Sequence, residues 1–192
     1  MKKLYLISVI CVLLSSCSKD VMDRTIFIPD ERDRELPAYT EWGYNSFGAE
    51  YERDYFLVSN QIDPCKIVYN NSQLQFSLHG TDHFGKMTLV FTFPCQEAKD
   101  FKDLMQLQGE KIDLSDSLCT VKILHDNIES VIDVLEGELY FKRAQLLSID
   151  EKVNRVILSG TFELRFMKGE FPSYISNGRF DLGITKNVFY SR

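Results

Sequence analysis

The residues able to do chemistry are few and scattered. Histidines occur at positions 79, 83 and 125. His79 and His83 stand four apart in "HGTDH", with Asp82 beside them. On a helix that spacing would set two imidazoles on one face as a metal pair. Gly80 and the apolar alternation on both sides place the stretch between strands instead, where the rings need not converge, and no metal ligand is assigned. Nucleophilic catalysis needs a nucleophile, a base and an orienting group within reach. Cys65, Cys95 and Cys119 can each be set against His125 or His83, but nothing in their spacing brings them together. No G-x-S-x-G elbow, phosphate-binding loop or dinucleotide fingerprint occurs. Paired carboxylates for glycoside hydrolysis cannot be singled out among 28 acids. The expectation is a protein that is not an enzyme, with no catalytic residue and no cofactor.

Cys17 has chemistry of another kind. Lys2 and Lys3 open the chain, and Leu4 to Leu14 follow without a charge. A spanning helix needs about 20 apolar residues. This run is too short to span and has the length of the central region of a secretory signal. Leu14-Ser15-Ser16-Cys17 resembles a bacterial lipobox. The resemblance implies cleavage before Cys17, a diacylglycerol on its thiol and an acylated new amino terminus. One acyl chain anchors marginally, at about 0.8 kcal/mol per buried methylene, whereas two or three hold firmly. The expected organisation is a signal peptide over 1–16, a lipidated cysteine and charged tether over 17–38, and a single β-rich domain over 39–192. The tether, "SKDVMDRTIFIPDERDRELPA", is dominated by charge apart from Ile26-Phe27-Ile28 and lacks the apolar surface to fold alone.

Once the two leader lysines are gone, 20 Lys and Arg face 28 Asp and Glu. That balance excludes a nucleic-acid partner, which calls for a basic stripe. It also argues against docking on anionic lipid by net charge. With Cys11 removed and Cys17 acylated, Cys65, Cys95 and Cys119 remain. An odd number allows at most one bridge within the chain, and three buried thiols are the alternative.

Tyr39, Trp42, Tyr44, Phe47 and Tyr51 form a dense aromatic cluster. Exposed Trp and Tyr make platforms for sugar rings and partner surfaces, while buried ones fill a core. Trp42, Tyr39 and Tyr44 are the candidate ligand-binding residues. Asp116-Ser117-Leu118 resembles a short bacterial O-glycosylation pattern.

Period-two patterning dominates the rest. Leu74, Phe76 and Leu78 alternate with Gln73, Gln75 and Ser77, and Met87, Leu89, Phe91 and Phe93 share one face. Asn70-Asn71 reads as a hairpin turn, and "HGTDHFG" as the next one. Residues 96–107 break the pattern: Ala98, Phe101, Leu104 and Met105 fall at helical spacing. "CTVKILH", "GELYFKRAQLLSID", "RVILSGTFELRFMK" and "ISNGRFDLGI" read as further strands, with "EKVN" and "GEFPSY" as turns. The expected fold is all-β, mainly an antiparallel meander with one short helix near 96–107. It must stack as a sandwich or curl into a partly open barrel.

Gly43 to Ala49, with Gly160-Thr161-Phe162 and Asn177-Gly178-Arg179-Phe180-Asp181, is similar to a family of Bacteroidetes-type envelope lipoproteins with a β-rich domain. Their chains carry a lipobox and short tether, an opening GxxxFGA strand, and closing GTFxxxF and NGxFD strands. The resemblance implies a β-rich fold and a cell-envelope, outer-membrane location, and it carries no catalytic residue. Asp20 and Asp23 resemble a signal for the outer face, but Val21-Met22 interrupts it, so the face is left open. The expected function of the chain as a whole is a binding or interaction module for a glycan, a partner protein or a small apolar ligand. The alternative is a structural accessory of an envelope assembly. The first partner is the lipid bilayer, through acylated Cys17. Cys17→Ala is expected to move the protein out of the membrane fraction, and detergent partitioning unchanged from wild type would refute the anchor.

Overall fold

The computed structural model describes residues 24–60, 63–126, 128–149 and 151–192. The expected signal peptide, Cys17 and the first part of the expected tether lie outside the described residues. The alternating segments fold as β1 (Ser46–Tyr51), β2 (Asp54–Val58), β3 (Cys65–Asn70), β4 (Gln73–Asp82), β5 (Gly85–Pro94), β6 (Lys111–Asp113), β7 (Thr120–His125), β8 (Ile128–Ile149), β9 (Lys152–Lys168), β10 (Phe171–Ile184) and β11 (Phe189–Ser191). Neighbours run β4-β2-β1-β10-β9-β8-β7-β5, and β5 pairs back onto β4. The sandwich-or-barrel alternative therefore resolves as an eight-stranded antiparallel barrel with extra strands. Strand β3 lies beside β4 outside the ring, β11 pairs parallel to β3, and β6 adds to β8. The chain is thus more than a meander: β1 closes against β10, far along the sequence.

Eight strands enclose a space just wide enough for side chains to fill. Here phenylalanine fills it. Phe76 sits 6.3 Å from Phe91, 5.6 Å from Phe141 and 5.3 Å from Phe180, measured between ring centroids. Nine phenylalanines are less than 2% exposed. Each such burial contributes about 1.5–3 kcal/mol.

Ring closure depends on one seam. The edge of β4 is shared: Gln73 to Leu78 pair with β3, whereas β2 reaches β4 only at Leu57↔Thr81 and Val58↔Gly80. A Cβ on Gly80 would lie 2.2 Å from the Leu57 carbonyl oxygen and 2.8 Å from the Phe56 ring. Only glycine lets β2 come this close.

The helix expected over 96–107 is a 3-10 helix over Phe101–Leu107. At three residues per turn, side chains at i and i+3 eclipse. Phe101, Leu104 and Leu107 accordingly share the buried face, while Met105 does not join them. Asp100 and Asp103 close a capping box at its start. Two turns also shift. Asn71 and Ser72 both have positive φ, which puts the β3–β4 turn one residue later than expected. Most of "HGTDHFG" is strand, since β4 runs to Asp82 and only His83-Phe84 turns.

From Arg24 on, the segment expected as a tether lies against the outside of the barrel. The Asp30 carboxylate meets the Arg179 guanidinium at 2.8 Å, and the Tyr55 hydroxyl donates to Asp33 at 3.1 Å. Leu36 is fully buried, and Pro37 packs on Gly48, where a Cβ would stand 2.5 Å from its ring. Composition alone leaves such a segment unfolded. The barrel wall supplies the apolar surface and counter-charges that it lacks by itself.

Gly80→Ala is expected to lower stability by about 1–3 kcal/mol through overpacking at the seam. A urea midpoint equal to wild type would show that this contact does not limit closure.

Candidate functional site

Asp181 lies on the outer wall of β10, yet it is 1% exposed, because residues 40–44 fold over it. Its carboxylate accepts from the Thr40 hydroxyl, from the Trp42 and Tyr44 amides at 3.1 and 3.2 Å, from the Gly43 amide at 2.7 Å and from the Ser159 hydroxyl at 2.9 Å. A buried charge is tolerable when it is hydrogen-bonded this fully. Gly43 has φ of 73°, the left-handed region that glycine enters without steric cost. Asn45, also left-handed, accepts from the Gly183 amide at 2.9 Å.

This clamp sets out the three candidate ligand residues. Trp42 is 71% exposed, the only one of the three in solvent. Tyr44 is half-buried. Tyr39 is half-buried too: its hydroxyl donates to Glu41 at 3.0 Å, and the Lys142 ammonium stands 4.9 Å from its ring centre. Burial first, and the Glu41 carboxylate next, hold the Tyr39 phenol well above its ordinary range. Tyr39 borders a groove of about 290 Å³ with Glu138, Glu163, Asn177 and Arg179. Phe47 and Tyr51, from the same cluster, belong to the core. The cluster is thus split between wall and interior.

The histidines do not converge. The hairpins β1–β2, β4–β5, β7–β8 and β9–β10 all turn at one end of the barrel. His83 pairs with Asp54 across two of these hairpins. His125 Nε2 stands 2.7 Å from Asp82, whose other oxygen accepts from the Phe84 and Gly85 amides. Lys168 reaches Glu52 at 3.2 Å. The Ser173 hydroxyl first, and Lys168 after it, hold the Glu52 carboxyl below its ordinary range against the opposing effect of burial. These pairs tie the four turns into a rim. Three of the turns carry a large apolar side chain in solvent: Phe84 (71% exposed), Ile128 (73%) and Phe171 (76%).

His79 lies apart from the rim. A cleft of about 890 Å³ opens where β2 and β3 diverge, lined by Arg24, Asp63, Cys65, Lys66, His79 and Tyr190 among others. Burial lowers the basicity of His79, whose Nδ1 stands 3.1 Å from the Asp63 carbonyl oxygen. Burial also pushes the Cys65 thiol up to about 12. A thiol so held stays protonated and is a poor nucleophile. Cys65, Cys95 and Cys119 are all free thiols, Cys65 buried and the others half-buried. Among the described residues, no group of three or more His, Cys, Asp or Glu is placed to hold a metal ion. Ser117 lies in the exposed turn between β6 and β7.

Sequence reasoning missed Asp181, Gly80 and the rim. Phe84 and Phe171 left a signal, since each is a large apolar residue within a turn segment, where small and polar types are the rule. Asp181 left none beyond its place in the closing NGxFD motif. Set against known proteins, the chain matches no family model, no curated protein and no solved structure.

Asp181→Ala leaves several donors buried without their acceptor and is expected to cost about 3 kcal/mol. Hydrogen exchange should quicken at the Trp42, Gly43 and Tyr44 amides while the core strands stay protected. Unchanged exchange at those three amides would remove Asp181 from its role as clamp.

Proposed function

We propose that this chain is an outer-membrane envelope lipoprotein, tethered through acylated Cys17, whose barrel is an interaction module that docks a partner protein by its hairpin rim. The anchor rests on the charged start, the short apolar run and the Leu14-Ser15-Ser16-Cys17 pattern. The module reading rests on one observation above others: Phe84, Ile128 and Phe171 stand in solvent on three turns of a rim braced by His83–Asp54, His125–Asp82 and Lys168–Glu52.

Apolar anchors on a rigid frame are what a protein interface uses for its energetic centre, because little order has to be gained on binding. Three acid–base pairs of the rim are engaged with one another, and the apolar tips stand beside them in solvent. A carrier of small apolar ligands would call for a lumen. Phenylalanine occupies that space here. A glycan would favour the groove beside Tyr39, but the Lys142 ammonium already stands over that ring. The alternative remains a structural accessory with no ligand of its own.

A photo-crosslinking amino acid at Phe84 or Phe171, introduced in cells, tests the reading, with Glu151 at the opposite end as control. The expected result is one discrete cross-linked envelope protein from the rim positions and none from position 151. No adduct from either rim position, with the protein present in the membrane fraction, would favour the accessory role instead.

A further inference from the structure

We infer that the domain lies on the membrane by one wall, the surface formed by Arg24 to Ile28 together with Trp42, and that the occupant of this wall is the headgroup–acyl boundary of the bilayer that holds Cys17. The inference rests on the lipoprotein reading and deepens it.

The first ground is reach. Arg24 stands seven positions after Cys17. An extended residue spans at most about 3.6 Å, so this leash is at most ~25 Å long. A free spacer over the whole of 17–38 would reach roughly three times as far. Docking of residues 24–38 on the barrel removes that slack. The Asp30–Arg179 pair, the Tyr55–Asp33 bond and buried Leu36 hold the segment down. The wall at Arg24 is therefore the part of the domain that the leash keeps nearest the bilayer.

The second ground is what that wall presents. Ile26, Phe27 and Ile28 are 44%, 42% and 41% exposed, an apolar run left in water by a segment otherwise rich in charge. The Ile26 amide donates to the Tyr44 carbonyl at 2.8 Å, which brings this run beside the loop that carries Trp42. Trp42 is 71% exposed, and its loop is pinned by Asp181, so the indole is displayed by a rigid support. Tryptophan is the side chain most at home where headgroups meet acyl chains. Among the described residues, Arg24 and Lys66 flank the adjoining cleft with Asp63 as the one acid lining it, a local excess of positive charge in an acidic chain. Long cationic side chains at such a boundary keep their heads at the phosphates while their stems lie on apolar surface.

The third ground is direction. The Trp42 loop leads into the start of β1 and covers the late residues of β10, both at the end opposite the four hairpins. A domain resting on this wall turns its rim of Phe84, Ile128 and Phe171 away from the bilayer.

Trp42 is the only tryptophan, so its fluorescence reports this wall alone. The test uses the full acylated chain purified from membranes and placed in phosphatidylcholine vesicles, with or without bromine on the acyl chains. The expected result is loss of Trp42 emission in the brominated vesicles and partial recovery in Phe27→Ser, with circular dichroism unchanged. In a Trp42→Phe, Phe84→Trp variant the rim tryptophan should stay unquenched. Protein that floats with the vesicles but emits equally in both overturns the inference and leaves the anchor intact. Protein that does not float, with Cys17 unmodified by mass, overturns the anchor reading itself. A blue shift that grows with protein-to-lipid ratio and ignores bromine would assign the wall to a second copy and overturn the inference.

Discussion

The barrel exists because β2 can approach β4 over two residues. Everything at the seam follows from Gly80, whose hydrogen occupies the place where any Cβ would strike the Leu57 carbonyl. Above that contact β4 belongs to β2, and below it to β3. One edge cannot serve both strands at the same height, so β3 is displaced from the ring and carries β11 on its outer side. The displacement opens the cleft beside His79 and Cys65, and Thr25 of the N-terminal segment lines it. The seam thus determines both how the ring closes and where the segment from Arg24 onward can lie.

An acidic chain of this size would ordinarily wear its carboxylates as a solvated coat. Here several act as internal ties. Asp82 and Asp181 are buried and organise, respectively, the β4–β5 turn with His125 and the loop that displays Trp42. Asp30, Asp100, Asp113 and Asp116 accept backbone amides at the starts of turns, the role in which a short carboxylate competes best with water. Net charge therefore overstates how many acids are free to repel or attract a partner. What matters at each surface is the local remainder: apolar tips at the rim, and Arg24 with Lys66 beside the cleft.

The strands were legible because alternation is local. Leu74, Phe76 and Leu78 fall on the inner face whatever the sheet does later, and the same holds for Val156, Leu158, Phe162, Leu164 and Phe166. Ring closure was not legible, since Leu57 and Thr81 meet only after the whole circuit is assembled, and Gly80 reads in sequence as ordinary turn punctuation. By the same alternation Asp181 reads as an outward polar residue, and so it is; its burial comes from a loop more than a hundred residues away. The aromatic cluster was visible, but its division was not. Phe47 and Tyr51 follow strand parity inward, whereas Trp42 and Tyr44 are set by that carboxylate and Tyr39 by Glu41 and Lys142. Residues 24–38 deceived for a related reason: composition describes a segment alone, and this one is completed by Arg179, Tyr55 and Gly48.

Two of the three stretches that carry the family resemblance, Gly43 to Ala49 and Asn177 to Asp181, turn out to be one contact. The amide of Gly43 ends on the carboxylate of Asp181, Asn45 binds the Gly183 amide, and Phe47 pairs with Phe180 across β1 and β10. Gly178 admits the Phe162 carbonyl, which a Cβ would meet at 2.3 Å, and Asn177 takes the left-handed turn at the register shift of β10. A glycine, an aspartate and a phenylalanine at such separations are what this junction demands on steric and hydrogen-bonding grounds, with no ligand invoked. The motifs are therefore evidence about how the N-terminal segment is fastened to the barrel. A fastening of this kind matters most in a protein pulled from its N-terminus. If the chain is anchored as proposed, force along the leash from Cys17 would reach the Asp30–Arg179 pair, buried Leu36 and the Asp181 clamp before it reached the core strands.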